Sequence, residues 1–116
     1  MTREEMLEEV NKIVNDESNQ EKMKQTPLLL SGKWDFQIAF EICRREKIRF
    51  GEIKNLFPGI TNTVLTSSLR NLEKLGIISR IQYNEMPPRV EYSPTEKGKR
   101  LLPVYYELLK WCIYTP

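Results

Sequence analysis

At 116 residues, 40% hydrophobic and 29% charged, the sequence has the size and balance of one ordinary domain with a modest core. It contains no histidine, which removes the usual general base, triad member and metal ligand and argues against an enzyme, and no apolar run long enough to span a bilayer. The net charge of +2 hides an asymmetry: residues 1–30 carry four basic and seven acidic side chains, residues 31–116 fourteen and nine, so the body is the part suited to a polyanion.

The opening "MTREEMLEEV" is acidic and lacks the apolar core of a signal peptide, so the expected location is cytoplasmic. Met6, Leu7, Val10, Ile13 and Val14 recur at helical spacing until Asn15-Asp16 breaks the pattern. "NDESNQEKMKQT" reads as a loop or weak helix, and Pro27 suits the first turn of a new helical segment. From Trp34 to Cys43 the apolar residues fall almost all round, the mark of a helix buried on most sides. Phe50, Ile53, Leu56 and Phe57 mark a short helix that Pro58-Gly59 ends.

Thr61 is placed to cap the next helix, Val64, Leu65, Leu69, Leu72 and Leu75 to form its buried stripe, and Gly76 to end it in a left-handed conformation. A strand follows, with Ile77, Ile81 and Tyr83 on one side and Arg80, Gln82 and Asn84 on the other. "MPPR" turns the chain and "VEYS" returns with Val90 and Tyr92 inward. Thr95 can cap a last helix carrying Leu101, Leu102, Tyr105, Leu108, Leu109 and Cys112, with Pro103 bending it.

Helix, helix, tight turn, helix, hairpin, helix is the order of a winged helix-turn-helix: mainly α with a small β-hairpin, and with N- and C-terminal helices left for dimerisation. We divide the chain into residues 1–26, a dimerisation arm of one helix and a polar linker, and residues 27–116, the DNA-binding part with its C-terminal dimer helix. The third helix of this order then has a polar face of Asn62, Thr63, Thr66, Ser67, Arg70 and Asn71. These side chains are short enough, apart from Arg70, to let the backbone sit deep in a major groove, and none is acidic. A face left to solvent alone would gain little from threonine and serine, which are weaker helix formers. Arg49, Lys54, Lys74, Arg80 and Arg89 add positive charge around it, against Glu52, Glu73 and Glu85 between residues 49 and 89.

"SGKWDFQIAFEI", "RFGEIKNLFPGITNTVLTSSLRNLEKLGII", "PPRVEYSPTEKGK" and "LLPV", in this order and spacing, resemble the HxlR-type branch of the MarR-like winged-helix transcriptional regulators, from about Leu30 to Trp111. The resemblance implies a homodimer that sets two recognition helices and two wings on a pseudo-palindromic operator in double-stranded DNA, with Thr61 to Arg70 in the major groove and Arg89 at the minor groove. The chain departs from many members in having Thr26-Pro27 where they carry a sensing cysteine, in Ser31 for a common glycine, and in Pro94 for an aliphatic residue.

Met6, Val10 and Ile13 on the first helix, and Tyr105, Leu108, Leu109 and Cys112 on the last, lie outside the compact motif and are the expected dimer interface, since in a monomer they would face water. Folding back on the protomer's own core is the competing expectation for the first helix. Cys43 and Cys112 stand far apart in apolar surroundings, without zinc or redox spacing, and read as packing residues. No cofactor or metal is implied. A small-molecule effector in the groove between Trp34, Phe36 and the dimer helices is the one further partner admitted, although aromatic residues at such spacing more often belong to a core. The rival to DNA binding is a winged-helix protein-interaction module that has lost it; such a module would tend to fill the recognition face with apolar or acidic groups.

Overall fold

A computed structural model describes residues 1–24 and 34–115. Its first helix, α1 (Arg3–Asn15), starts at a reciprocal cap in which the Glu5 amide donates to Thr2 Oγ1 and the Thr2 amide donates to Glu5 Oε1, both at 3.1 Å. A 3₁₀ turn (Glu17–Asn19) and α2 (Gln20–Lys24) follow, so the polar stretch after Asn15 is weakly helical. Pro27 and its expected helix lie outside the described residues.

The centre is α3 (Asp35–Arg45), none of whose residues from Trp34 to Arg44 is exposed, as the all-round apolar pattern requires. Its Ile38, Ala39 and Ile42 join Ile53 and Phe57 from α4 (Phe50–Leu56) and its exit, and Leu65, Leu69 and Leu72 from α5 (Asn62–Lys74), in one core with Ile48, Ile60, Ile78 and Tyr92. Each fully buried Ile or Leu contributes about 1.5–3 kcal/mol before the entropy of ordering is set against it. Val64 and Leu75 do not belong to this stripe: they are 39% and 50% exposed on the flank of α5.

The helix α5 ends where Gly76, at φ 75°, donates to the Glu73 carbonyl while Ile77 donates to that of Leu72, each at 3.0 Å. This six-to-one and five-to-two pairing satisfies the last carbonyls and turns the chain into the sheet. Strands β1 (Ile48–Arg49), β2 (Ile78–Tyr83) and β3 (Arg89–Pro94) form an antiparallel sheet in the order β1-β3-β2, so a third strand joins the expected hairpin. The register Ile78↔Pro94, Arg80↔Tyr92 and Gln82↔Val90 puts Ile78 inward with Val90 and Tyr92, and leaves Ile81 45% exposed. The expected division of β2 holds, with Ile81 and Tyr83 on one side and Arg80 and Gln82 on the other, but it is the side of Arg80 and Gln82 that Val90 and Tyr92 share, while Ile77 packs on the core from the helix exit.

Thr95 caps a four-residue helix, α6 (Glu96–Lys99), and not the long one expected: its Oγ1 accepts from the Gly98 amide at 3.1 Å and donates to the carbonyls of Gly76 and Ile77. The chain restarts as α7 (Leu102–Tyr114), with Pro103 in its first turn, where the missing N–H costs nothing, so the proline begins a helix and does not bend one. Val10 and Ile13 of α1 pack on Leu102, Leu109 and Ile113 of α7 in a second core. Arg3 closes this arm onto the rest by donating to the carbonyls of Cys43 and Lys99, at 3.3 and 3.5 Å, and pairing with Glu46 at 3.4 Å.

Candidate nucleic-acid interface

The turn between α4 and α5 sets the geometry of the polar face. Pro58 cannot extend α4, Gly59 takes φ 91°, and Thr61 Oγ1 accepts from the Val64 amide at 3.1 Å, so α5 begins with a satisfied cap. Leu65, Ser68, Leu69 and Leu72 face the core, and the 100° step per residue then puts Thr63, Ser67, Arg70 and Lys74 together on the opposite, exposed side. No carboxylate occurs in the helix before Glu73, so its exposed side from Asn62 to Arg70 presents hydroxyls, amides, one guanidinium and, at its start, the positive end of the helix dipole.

Two amides of the expected face are tied to neighbouring helices. Lys54 Nζ at the end of α4 donates to Asn62 Oδ1 at 2.6 Å, and Asn71 Nδ2 donates to Asp35 Oδ2 in the first turn of α3 at 2.7 Å. Asn71 is thus turned from the outward side of α5 toward α3. Arg49, exposed, precedes α4, and its amide donates to Glu52 Oε1 at 2.9 Å.

Between α5 and the sheet lies a cleft of about 540 Å³ floored by Phe50, Leu69, Val90 and Tyr92 and walled by Thr66, Arg70, Glu73 and Arg80. The register explains why Arg80 reaches it: as the partner of Tyr92 it stands on the sheet face turned toward α5. Arg70 and Arg80 are therefore neighbours across one cleft, whereas Arg89 stands apart at the other end of the hairpin.

Arg89 does not project freely. Its guanidinium lies 4.0 Å from the centre of the Tyr83 ring, on its cross-strand partner, and pairs with Glu85 Oε1 at 3.4 Å, which leaves the side chain 30% exposed. Its Nε is buried without a hydrogen-bond partner. Tyr83 in turn has its phenol raised above the ordinary value, first by its hydrogen bond to Glu91. The wing is an ordered cluster of two acids, one arginine and one tyrosine, a grouping that separation along the sequence conceals.

The expected dimer residues are placed differently from the expectation. Val10, Ile13, Tyr105 and Leu109 are 0%, 6%, 3% and 4% exposed within one protomer, the first two and Leu109 because α1 folds back on α7 and Tyr105 because it packs on Phe36 and Phe40 of α3, so they do not face water. Met6, Leu108 and Cys112 are half-buried. The large apolar side chains that α7 leaves exposed are Val104 at 57%, Trp111 at 56% and Tyr114 at 69%, and the first two make a stripe with Leu108 at i, i+4, i+7.

Trp34 packs edge-on against Phe57 and Phe36 against Tyr105, ring centres 5.8 and 4.9 Å apart, so both half-buried rings are spent in packing within the protomer. A separate cavity of about 240 Å³ opens near them between α2, α3 and α7, lined mainly by Val14, Met23, Phe40, Tyr105 and Leu108. Cys43 is fully buried, donates from Sγ to the Gly98 carbonyl at 3.2 Å, and burial pushes its thiol up to about 11. Among the described residues no group of three or more His, Cys, Asp or Glu could hold a metal, and no helix is long and apolar enough to cross a membrane.

Residues 29–115 match the family described as HxlR-like helix-turn-helix. The HTH-type transcriptional regulator YkvN of Bacillus subtilis (strain 168) is 41% identical over 86 residues, 74% of this chain and 72% of the relative. A crystal structure of a MarR-family transcriptional regulator from Porphyromonas gingivalis W83 superposes with a TM-score of 0.66 at 38% identity, covering 88% of this chain and 97% of that one. The redox regulator HypR in its oxidized form gives a TM-score of 0.65 at 34% identity, covering 78% and 98%.

Proposed function

The chain belongs to the HxlR-like helix-turn-helix family of transcriptional regulators, not to a family of enzymes, and on that premise we propose that it is a cytoplasmic, sequence-specific regulator that binds a pseudo-palindromic operator as a homodimer. In this reading α5 enters the major groove and the hairpin tip meets the adjacent minor groove. The observation that carries it is the exposed side of α5: Thr63, Ser67, Arg70 and Lys74 stand together with no carboxylate before Glu73, where an interaction module would carry apolar or acidic groups.

Thr61, Asn62, Thr63, Thr66 and Ser67 supply hydroxyl and amide contacts to base edges or phosphates. Arg70 and Arg80 share the cleft beside the wing, Arg49 and Lys74 flank the helix-turn-helix, and Arg89 works from the tip. The arm 1–26 and α7 serve dimerisation, with the Val104, Leu108 and Trp111 stripe as the contact face and Met6 and Cys112 at its margins. Val10, Ile13 and Leu109 support that face from the α1–α7 core, and Tyr105 ties α7 to Phe36 and Phe40 of α3.

An electrophoretic shift with promoter DNA flanking the gene tests the proposal. A complex that survives competition by unrelated duplex is expected; no specific complex at low salt on any such promoter refutes it.

A further inference from the structure

We propose that Lys54 is a positioning residue that fixes which end of the Asn62 amide faces DNA, and so biases one base of the operator toward guanine or thymine and against adenine. The inference rests on the reading of α5 as a recognition helix and goes beyond it, since it assigns a preference to one position.

Lys54 Nζ lies 2.6 Å from Asn62 Oδ1. An ammonium has three donors and no acceptor, so the atom that faces it is the oxygen, and the usual ambiguity between the two ends of an asparagine amide is settled by chemistry. Nδ2, with two donors, is then the end left free. Both residues are mounted on anchored backbone: Ile53, beside Lys54, is 0% exposed, and Asn62 follows the Thr61 cap and precedes Leu65, also 0% exposed. Asn62 is the first residue of α5 and is exposed, at the end of a recognition helix that reaches base edges.

Asparagine reads adenine by using both ends at once, accepting from the N6 amino group and donating to N7. With an ammonium already on Oδ1, the adenine amino group would have to share that oxygen with a positive charge. Guanine presents O6 and N7 and thymine presents O4, all acceptors that a donor-only amide can meet. In this role the Lys54 ammonium is engaged by Asn62, 2.6 Å away, and not by a phosphate, which is what separates it from an ordinary basic contact.

The test uses the full chain, its operator and a set of duplexes carrying each single base change, with wild type, Asn62→Ala, Lys54→Met and Lys54→Arg compared by fluorescence anisotropy at several salt concentrations. Asn62→Ala marks the base position it reads. There the wild type is expected to bind the adenine duplex about tenfold more weakly than the best guanine or thymine one. Lys54→Met should shrink that gap severalfold at that position alone, with the salt slope unchanged, and Lys54→Arg, again a pure donor, should restore it. Wild-type preference for adenine there, or an Asn62→Ala variant with every base preference intact, overturns the inference. A Lys54→Met loss that is uniform across sequences with a salt slope smaller by about one makes Lys54 a phosphate contact and overturns it too. A wild type that distinguishes no duplex from any other overturns the recognition-helix reading itself.

Discussion

Replacing Glu85 by glutamine asks whether the wing arginine is held back from DNA. In the free chain Arg89 pairs with Glu85 at 3.4 Å, with side chains 30% and 53% exposed, and stacks 4.0 Å from the Tyr83 ring centre. A pair this exposed is worth about 0.2–1 kcal/mol, and an exposed stacking contact roughly 0.5–1 kcal/mol. Only the first is removed by Glu85→Gln, so the arginine stays aimed by Tyr83 while losing its competitor for phosphate. The expected gain in DNA affinity is therefore up to about fivefold, the equivalent of about 1 kcal/mol. It should be similar on operator and unrelated duplex, because the minor groove and the phosphates carry little sequence information. The salt slope should steepen by about 0.9 for one additional phosphate-type contact. Fluorescence anisotropy across a salt series measures both quantities, and the double variant Glu85→Gln/Arg89→Ala gives the control. If the gain persists in the double variant, it comes from removing a negative charge near DNA and not from releasing Arg89. If the single variant changes neither affinity nor slope, the tip does not meet DNA.

Other perturbations test separate parts of the structure. A Cβ at Gly98 would lie 2.0 Å from the Ile77 carbonyl oxygen, so Gly98→Ala should destabilise by about 1–3 kcal/mol or more, read as a lower thermal midpoint; an unchanged midpoint would show that α6 is not packed so closely on the exit of α5. Trp111→Glu puts a charge on the exposed α7 stripe and should yield monomers in sedimentation at micromolar concentration without loss of helix content, whereas a variant as dimeric as the wild type removes this stripe from the interface. In a Cys112→Ala background diamide should leave DNA affinity unchanged, because the remaining thiol, Cys43, is buried and raised to about 11, which keeps it protonated; a thiol-reversible loss of affinity there contradicts this. The same shift favours the folded chain fully below its ordinary value of 9.0 and loses that advantage as pH rises from there to about 11, so stability should fall more steeply over that window in wild type than in Cys43→Ala, as urea unfolding at pH 8 and 10.5 can show.

Features decided by neighbours in the chain were legible in the sequence. The Thr61 cap, the break at Pro58-Gly59 and the left-handed Gly76 each follow from one residue's conformational preferences, and the structure has all three. The winged fold followed from the order of such elements, and the family from the resemblance carried by the Gly-Lys-Trp, Pro-Gly-Ile and Pro-Pro-Arg-Val-Glu-Tyr stretches in their order and spacing. What was not legible depended on partners distant in sequence. Two residues, Ile48 and Arg49, have no periodicity to detect and become a strand only by pairing with Tyr92 and Glu91. The inward side of β2 turned on its pairing, which sets Arg80 and Gln82 opposite Tyr92 and Val90 of β3. An apolar stripe such as Val10 and Ile13 states that something covers it, not whether the cover is α7 of the same protomer or of another. The ties of Asn62 to Lys54 and of Asn71 to Asp35 join polar residues 8 and 36 positions apart, and polar side chains carry no periodic signal of who will meet whom.

The central claim, sequence-specific DNA recognition through α5, is tested most directly by the affinity ratio between operator and scrambled duplex at a fixed salt near 0.15 M, measured for the wild type and for the triple variant Thr63→Ala/Ser67→Ala/Arg70→Ala. These side chains stand together on the exposed side of α5, opposite the core-facing Leu65, Leu69 and Leu72, and alanine is a good helix former, so the variant is expected to keep its fold, which its circular dichroism checks. The wild type should favour operator by about 10³ or more, and the variant should lose most of that ratio while retaining weak, salt-sensitive binding to both duplexes. A wild-type ratio near one, or a variant that keeps the full ratio, would contradict the account.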